Sequence, residues 1–267
     1  MFKPDDNNFE QSHFAAVLAL TKENLEKYRK EEKALSDELY TLLETYGAKD
    51  VEALSMIDNI HVMYERARHE AARAEMARQK PFFGRIDFVD GNHKSNDTIY
   101  IGKVGISRDV THLEVIDWRA PVANSYYESH IGEVTYSVPG EGGFVIDLKK
   151  KRTYEIKDDT LLSFFDSDVV ANDELLNRYL SQNKKAVLGE IIATIQKEQN
   201  DIIRQSPYKS IIVQGAAGSG KTTVAMHRIS YILYNYEKDF KPADFYIVGS
   251  NKLLLNYITS VLPDLDV

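Results

Sequence analysis

Between Ile211 and Tyr236 the chain reads IIVQGAAGSGKTTVAMHRISYILYNY, and no other stretch restricts its possible folds as tightly. Ile211-Ile212-Val213 is a short β-branched run of the kind that predicts a buried parallel strand. Gly215-Ala216-Ala217-Gly218-Ser219-Gly220-Lys221-Thr222 completes a G-x-x-x-x-G-K-[ST] phosphate-binding loop. Beyond it Val224, Arg228, Ile229, Ile232 and Leu233 recur at helical spacing, so the loop opens onto a helix N-terminus. Glycines and small residues let successive backbone N–H groups turn inward around a phosphate chain, and the helix dipole adds positive potential there. Lys221 is expected to meet the β- and γ-phosphates as the catalytic cation, and the Thr222 hydroxyl to ligate Mg²⁺. The expected nucleotide-binding set is Gly215, Ala216, Ala217, Gly218, Ser219, Gly220, Lys221, Thr222 and Thr223. A glycine-rich turn that merely carried a lysine would lack the flanking strand and helix patterns.

Residues 1–80 read as an arm. Phe14, Leu18, Thr21, Leu25, Tyr28, Glu32, Leu35, Leu39, Leu42 and Tyr46 alternate steps of four and three, a heptad seam with defects at Thr21 and Glu32. Gly47 stops this helix and Asp50 begins the next, where Ile57, Ile60, Tyr64, Ala67, Ala71 and Ala74 keep the same alternation. The short turn predicts an antiparallel hairpin whose first helix is about 50 Å long. Large residues face one another near the turn, and alanines occupy the far end. Asp50 and Glu52 at the tip are candidate partner-binding acids, although acids near a helix start also serve the dipole alone. Taken by itself, such a hairpin is a strut, a dimerising coiled coil or an arm that enters a partner.

Pro81 closes the arm and residues 81–171 turn β-rich. Strands are expected at Arg85–Val89, Ile99–Ile106, Leu113–Trp118, Glu133–Val138 and Phe144–Ile156. Turn signals at Asp90-Gly91-Asn92, Ser95-Asn96-Asp97 and Pro139–Gly143 separate them. Lys149-Lys150-Lys151-Arg152 reads as a solvated strand edge, and Trp118 as core packing. Residues 172–267 return to helix, with segments starting at Asp173 and running from Lys184 to Gln205. The phosphate-loop strand and helix follow, then a second buried strand at Phe245–Val248 and a last helix from Leu253 to Leu262. The expected fold is therefore α/β: an antiparallel coiled-coil hairpin, a β-rich segment, and the start of a P-loop, RecA-like parallel domain.

Composition narrows the partners. Lys+Arg 33 against Asp+Glu 41 gives a net charge of −8, which argues against a surface that grips nucleic acid all over. The absence of cysteine excludes disulfides, thiolate zinc sites and a cysteine nucleophile. No apolar run approaches the ~20 residues of a membrane helix, and the start, MFKPDDNNFEQ, is polar; a cytoplasmic location without membrane contact is expected.

The phosphate loop, Ile195-Gln196-Lys197-Glu198-Gln199-Asn200 upstream and Gly249-Ser250-Asn251-Lys252 downstream resemble UvrD/Rep-like superfamily 1 helicases. That resemblance implies ATP with Mg²⁺ as the ligand and assigns the adenine edge to Gln199, whose amide can both donate and accept. It also makes Asn251 and Lys252 candidate contacts for single-stranded DNA. A closer resemblance, carried by Pro81–Phe88, Ile116-Asp117-Trp118-Arg119-Ala120-Pro121 and Ala193–Asn200, is to the HelD family of RNA polymerase recycling ATPases. It covers nearly the whole chain. It implies that the hairpin enters the secondary channel of core RNA polymerase, with Asp50 and Glu52 towards the active site, and that ATP turnover helps release stalled enzyme. An acidic body suits a basic channel.

Departures from the family pattern limit this expectation. After Asn251-Lys252 the sequence offers no Walker-B acidic pair, no arginine finger and no second RecA-like domain. Phosphoryl transfer needs a second Mg²⁺ anchor and an aligned water. The chain thus reads as the N-terminal piece of a larger ATPase that alone hydrolyses little. A superfamily 1 DNA helicase with an accessory hairpin is the alternative reading, and a pure interaction module is a third.

Overall fold

The computed structural model of the chain describes residues 7–46, 51–91, 95–109, 111–157, 159–166, 195–216, 218–249, 251–252, 255–256 and 258, with the side chains of 51 and 52 excepted. Helices α1 (Asn7–Tyr46) and α2 (Val51–Gln79) form the expected antiparallel pair. Phe14, Val17 and Leu18 share a core with Ala77 near the base, and Leu35 meets Ile60 and Ala67 further out. The 40 residues of α1 span about 60 Å, more than the seam alone requires, because the helix begins two turns before Phe14. Thr21 is buried, and its hydroxyl donates to the Val17 carbonyl at 2.7 Å, so the polar defect satisfies itself. Ala67, Ala71, Ala74 and Ala77 are all buried, as close approach of the helices at the base demands. Towards the tip the seam opens: Leu39 and Leu42 are half-buried and Tyr46 is exposed.

Strands β1 (Gly84–Asp90), β2 (Asn96–Gly102), β3 (Ile106–Ser107), β4 (Leu113–Asp117), β5 (Gly132–Val138), β6 (Gly142–Lys157) and β7 (Thr160–Asp166) build one seven-stranded mixed sheet. Its order is β3-β4-β2-β1-β6-β5, and β7 also pairs with β6. The long β6 meets β1 along one side; along the other it pairs first with β5 and then, past Lys151, with β7. The pairing of β2 with β4 is parallel and the other ladders are antiparallel. Side chains alternate across each strand, so the sheet has two buried faces. Phe82, Tyr100, Val115, Tyr154 and Leu161 pack against the base of the hairpin. Phe83, Ile86, Phe88, Ile101, Ile146 and Leu148 pack on the opposite side with Trp118, Tyr126 and Tyr127.

Glu10 fastens the hairpin to the first of these faces. Fully buried, it accepts from Arg85 Nη1 at 2.6 Å and Arg152 Nη1 at 2.8 Å with Oε1. Its Oε2 accepts from the Tyr154 hydroxyl at 2.8 Å and the Tyr100 hydroxyl at 3.2 Å. Asp87 holds Arg85 with two further bonds, and Asp166 holds Arg152 likewise. Burial and the Glu10 carboxylate raise both tyrosine hydroxyls far above their ordinary pKa, so both remain donors.

Several expectations need correction. Lys149-Lys150-Lys151-Arg152 is no solvated edge: β6 has neighbours on both sides, and Lys151 and Arg152 are buried. Lys151 donates to the Glu128 carbonyl. The expected strand Ile99–Ile106 is broken at Lys103-Val104-Gly105 into β2 and β3, and β7 carries no alternation that marks it in advance. Ile211–Val213 and Phe245–Val248 form no strand, and Ile212 and Val248 are both 96% exposed. A strand exists only through its ladder, and neither segment has one among the described residues. The helix expected from Lys184 is non-helical at Ile195-Gln196 and helical only over Lys197–Ile203; residues 184–194, like the helix expected from Asp173, lie outside the described residues. Of the last expected helix, Leu255, Asn256 and Ile258 are helical, as is Lys252 just before it.

Candidate functional site

Two helices on the second sheet face carry the site: α3 (Lys197–Ile203) and α4 (Lys221–Asn235). Ile195 and Ile203, with Val224, Tyr231 and Ile232 of α4, complete the core built on Trp118, Tyr126 and Tyr127. The phosphate loop runs into α4 through Gly218 and Gly220, with φ of 81° and 82°, left-handed values that side-chain-bearing residues rarely adopt. Gly220 is the N-cap and offers no side-chain cap. The first-turn N–H groups of α4 therefore have no capping side chain, which is the arrangement an anion fills. Gln214–Ala216, Gly218 and Ser219 are exposed, so the loop is open to solvent. Lys221 Nζ donates to the Gly215 carbonyl at 2.9 Å and the Ala216 carbonyl at 2.6 Å, folding the ammonium over its own loop. An incoming phosphate would exchange with these carbonyls. Thr222 is exposed in the first turn and Thr223 half-buried; Ala217 lies outside the described residues.

The donor set fits a nucleotide-borne metal better than a resident one. Thr222 supplies one hydroxyl, and no cluster of three or more His, Cys, Asp or Glu is assembled among the described residues. Mg²⁺ keeps several waters and readily takes phosphate oxygens as ligands, so one protein hydroxyl suffices when a triphosphate brings the ion.

Gln199 stands at the third position of α3. Its Oε1 accepts from the Gln196 N–H at 3.2 Å, one half of a capping box, and its Nε2 donates to the Ser219 carbonyl at 3.4 Å. A Cβ placed on Gly220 would lie 3.2 Å from that same Nε2. The fold thus brings the expected base-reading amide against the phosphate loop, twenty residues downstream. Both amide atoms are engaged within the chain, so a base must compete for them.

The supports of this arrangement are residues that sequence reasoning passed over or read otherwise. Arg228, read only as a helical position, donates to the carbonyls of Ile202, Ile203, Gln205 and Ser206, closing the C-terminal end of α3 with a cation where the dipole favours one. Arg204 donates to the Trp118 carbonyl at 2.6 Å and the Ala120 carbonyl at 3.2 Å. Arg119 forms a bidentate pair with Asp117 and donates to Ser230 Oγ at 3.1 Å. Asp117 also lies 3.9 Å from Arg73 of the hairpin. His227 Nδ1 donates to the Thr223 carbonyl at 2.8 Å, while Nε2 is buried without a hydrogen bond and the ring meets Trp118 edge-on. Burial holds this imidazole down to about pKa 4, so it is neutral. No local pattern marks these contacts, because their partners lie up to 111 residues away.

The remaining candidates stand apart. Asp50 lies outside the described residues, and Glu52 is in the first turn of α2 with its side chain likewise outside them. Asn251 and Lys252 are exposed, and Ser250 between them and the loop is outside the description. Among the described residues no helix is long and apolar enough to cross a membrane.

Residues 8–182, more than half of the chain, match the family described as DNA helicase IV HelD, N-terminal domain. Among curated proteins none matches the sequence. The matched span takes in the hairpin and the sheet and ends before Gln199 and the phosphate loop, so the site rests on its own residues.

Proposed function

Since the chain belongs to the family of the HelD N-terminal domain, we propose that it is the arm-bearing, nucleotide-binding N-terminal part of a helicase-like ATPase that recycles RNA polymerase. The observation that carries the nucleotide half of this reading is the meeting of Gln199 with the phosphate loop, an amide 3.4 Å from the Ser219 carbonyl beside an uncapped helix start. ATP with Mg²⁺ is the ligand these groups suit. Bound ATP supplies the phosphate chain and the metal. Lys221 would leave the Gly215 and Ala216 carbonyls for the β- and γ-phosphates, the first-turn N–H groups of α4 would receive phosphate oxygens, Thr222 would ligate the ion, and Gln199 would read the base. Phosphoryl transfer calls for an acidic metal anchor and an aligned water beside these groups, and ATP turnover is what a helicase-like family implies for the full-length protein.

The polymerase half of the reading rests on the long hairpin and on charge. From Ala34 to Tyr64 the sequence holds six acids, Asp37, Glu38, Glu44, Asp50, Glu52 and Asp58, against the single base Lys49. Such a rod complements a basic channel. A second reading, an ATP-dependent superfamily 1 DNA helicase with an accessory hairpin, is favoured by the family's own description as a DNA helicase.

The test is binding of the full chain to core RNA polymerase and to single-stranded DNA. It should compare wild type with a variant whose distal hairpin, residues 33–65, is replaced by a short turn. Removing residues 1–80 outright would strip Glu10 from beneath the sheet and confound the result. Polymerase binding that disappears with the distal hairpin supports the proposal. Tight binding to single-stranded DNA that ignores the hairpin supports the helicase.

A further inference from the structure

Asn200 follows Gln199 directly and, a step of about 100° around the helix, turns to Asn124 while Gln199 turns to the loop. It is buried at 1% exposure, and both ends of its amide are used. Nδ2 donates to Asn124 Oδ1 at 2.6 Å, in the 3-10 turn Pro121–Tyr127 that follows the Trp118 loop. Oδ1 accepts from Arg204 Nε at 2.9 Å, and Arg204 in turn grips the Trp118 and Ala120 carbonyls. A helix of seven residues cannot set its own orientation, since isolated helices that short are unstable. Its direction is therefore set by what it is pinned to. Asn200, Asn124 and Arg204 pin it to the Trp118–Tyr127 segment on a different side from Gln199, and Arg228 closes its far end.

We propose that the Asn124–Asn200–Arg204 triad positions Gln199 for the nucleobase and so sets the preference for adenine over guanine at this site. The inference rests on the reading of Gln199 and the phosphate loop as a nucleotide site. Base discrimination by an amide needs its donor and its acceptor placed together, each within a narrow hydrogen-bonding range. Phosphate binding by loop N–H groups and Lys221 makes no such demand on α3. Loosening the triad should therefore separate two quantities that a general loss of structure would lower together.

The experiment measures affinities of the full chain for Mg·ATP, Mg·GTP and Mg·tripolyphosphate in wild type and in Asn124→Ala, Asn200→Ala, Gln199→Ala and Lys221→Ala. Asn124 is only half-buried, so its variant guards against a misfolded Asn200→Ala. The expected result is an ATP preference over GTP in wild type that shrinks on the order of tenfold in both asparagine variants, with tripolyphosphate affinity unchanged. The double variant Gln199→Ala/Asn124→Ala should then lose no more preference than Gln199→Ala alone. A wild-type preference in Asn124→Ala and Asn200→Ala, alongside its loss in Gln199→Ala, overturns the positioning role and leaves the nucleotide site standing. Equal weakening of all three ligands in the asparagine variants also overturns it. A wild type that binds none of them, or binds them equally well after Lys221→Ala, overturns the nucleotide site and this inference with it.

Discussion

Glu10 is the buried acid that fastens the hairpin to the sheet beside their shared apolar core, and its surroundings decide what its removal does. Three acids, Glu10, Asp87 and Asp166, face two arginines, Arg85 and Arg152. Glu10→Gln leaves two acids for two arginines, so no buried cation is stranded; the loss is that of charge-assisted hydrogen bonds, roughly 1–3 kcal/mol. Arg85→Met strips buried Asp87 of its two-bond partner and leaves buried Glu10 with Arg152 as its one cation, and the cost should reach about 3–5 kcal/mol. Urea unfolding of the two variants checks the order, and a Glu10 variant that is the less stable of the pair contradicts it. His227 gives a second residue-scale expectation. The unfolded chain takes up this proton near pH 6.5 and the folded chain only near 4. Its contribution is therefore level above 6.5, and stability falls as the pH is lowered from 6.5 towards 4, by about 3 kcal/mol in all. His227→Phe keeps a ring against Trp118 and should flatten that part of the stability–pH curve.

At the scale of elements, the hairpin has two halves held by different means. The base shares the sheet's core, whereas the distal half depends on a small cluster of Leu35, Ile60 and Ala67 with Leu39, Leu42 and Tyr64 around it. Leu35→Ala should therefore cost about 2–4 kcal/mol locally and speed amide exchange from Leu35 to the tip while leaving β1 and β6 protected. Exchange that rises equally in the sheet would show the hairpin and sheet to unfold as one unit. The hairpin was legible from sequence because a heptad seam is local: the spacing of Leu18, Leu25 and Leu35 states the buried face without reference to anything else. The glycine-rich loop and the helix after it were legible for a similar reason, since the left-handed Gly218 and Gly220 and the helix start at Lys221 lie within a single turn. What escaped notice depends on distant partners. Glu10 looks like any first-turn acid until Arg85 and Arg152 are brought above it. The burial of Lys151 and Arg152 follows from β6 having ladders on both sides, which no strand announces about itself. Asn124 and Asn200 are ordinary polar residues 76 positions apart until the fold joins them.

On the scale of the whole molecule, one sheet separates two parts of the fold. The hairpin stands on one face and the helices of the phosphate loop on the other, with Arg73, Asp117 and Arg119 bridging from α2 to Ser230 of α4. The arm is thus no appendage that can be cut away. Without residues 1–80, Phe82, Tyr100, Val115, Tyr154 and Leu161 would face water, and Arg85 and Arg152 would lose the acid that joins them. An apolar sheet face of that extent left open invites association rather than a stable fold. Replacing residues 33–65 by a short turn leaves every one of those contacts in place and removes Leu35 and Ile60 of the distal cluster together with buried Ala53 and Ile57. The chain lacking residues 1–80 should therefore bind a hydrophobic dye and show no cooperative thermal transition. The shortened chain should melt cooperatively within a few degrees of wild type, because far-apart sites contribute independently. A chain that folds normally without its first 80 residues would mean that the sheet and the phosphate-loop helices form a self-sufficient unit, and that Glu10 serves the hairpin alone.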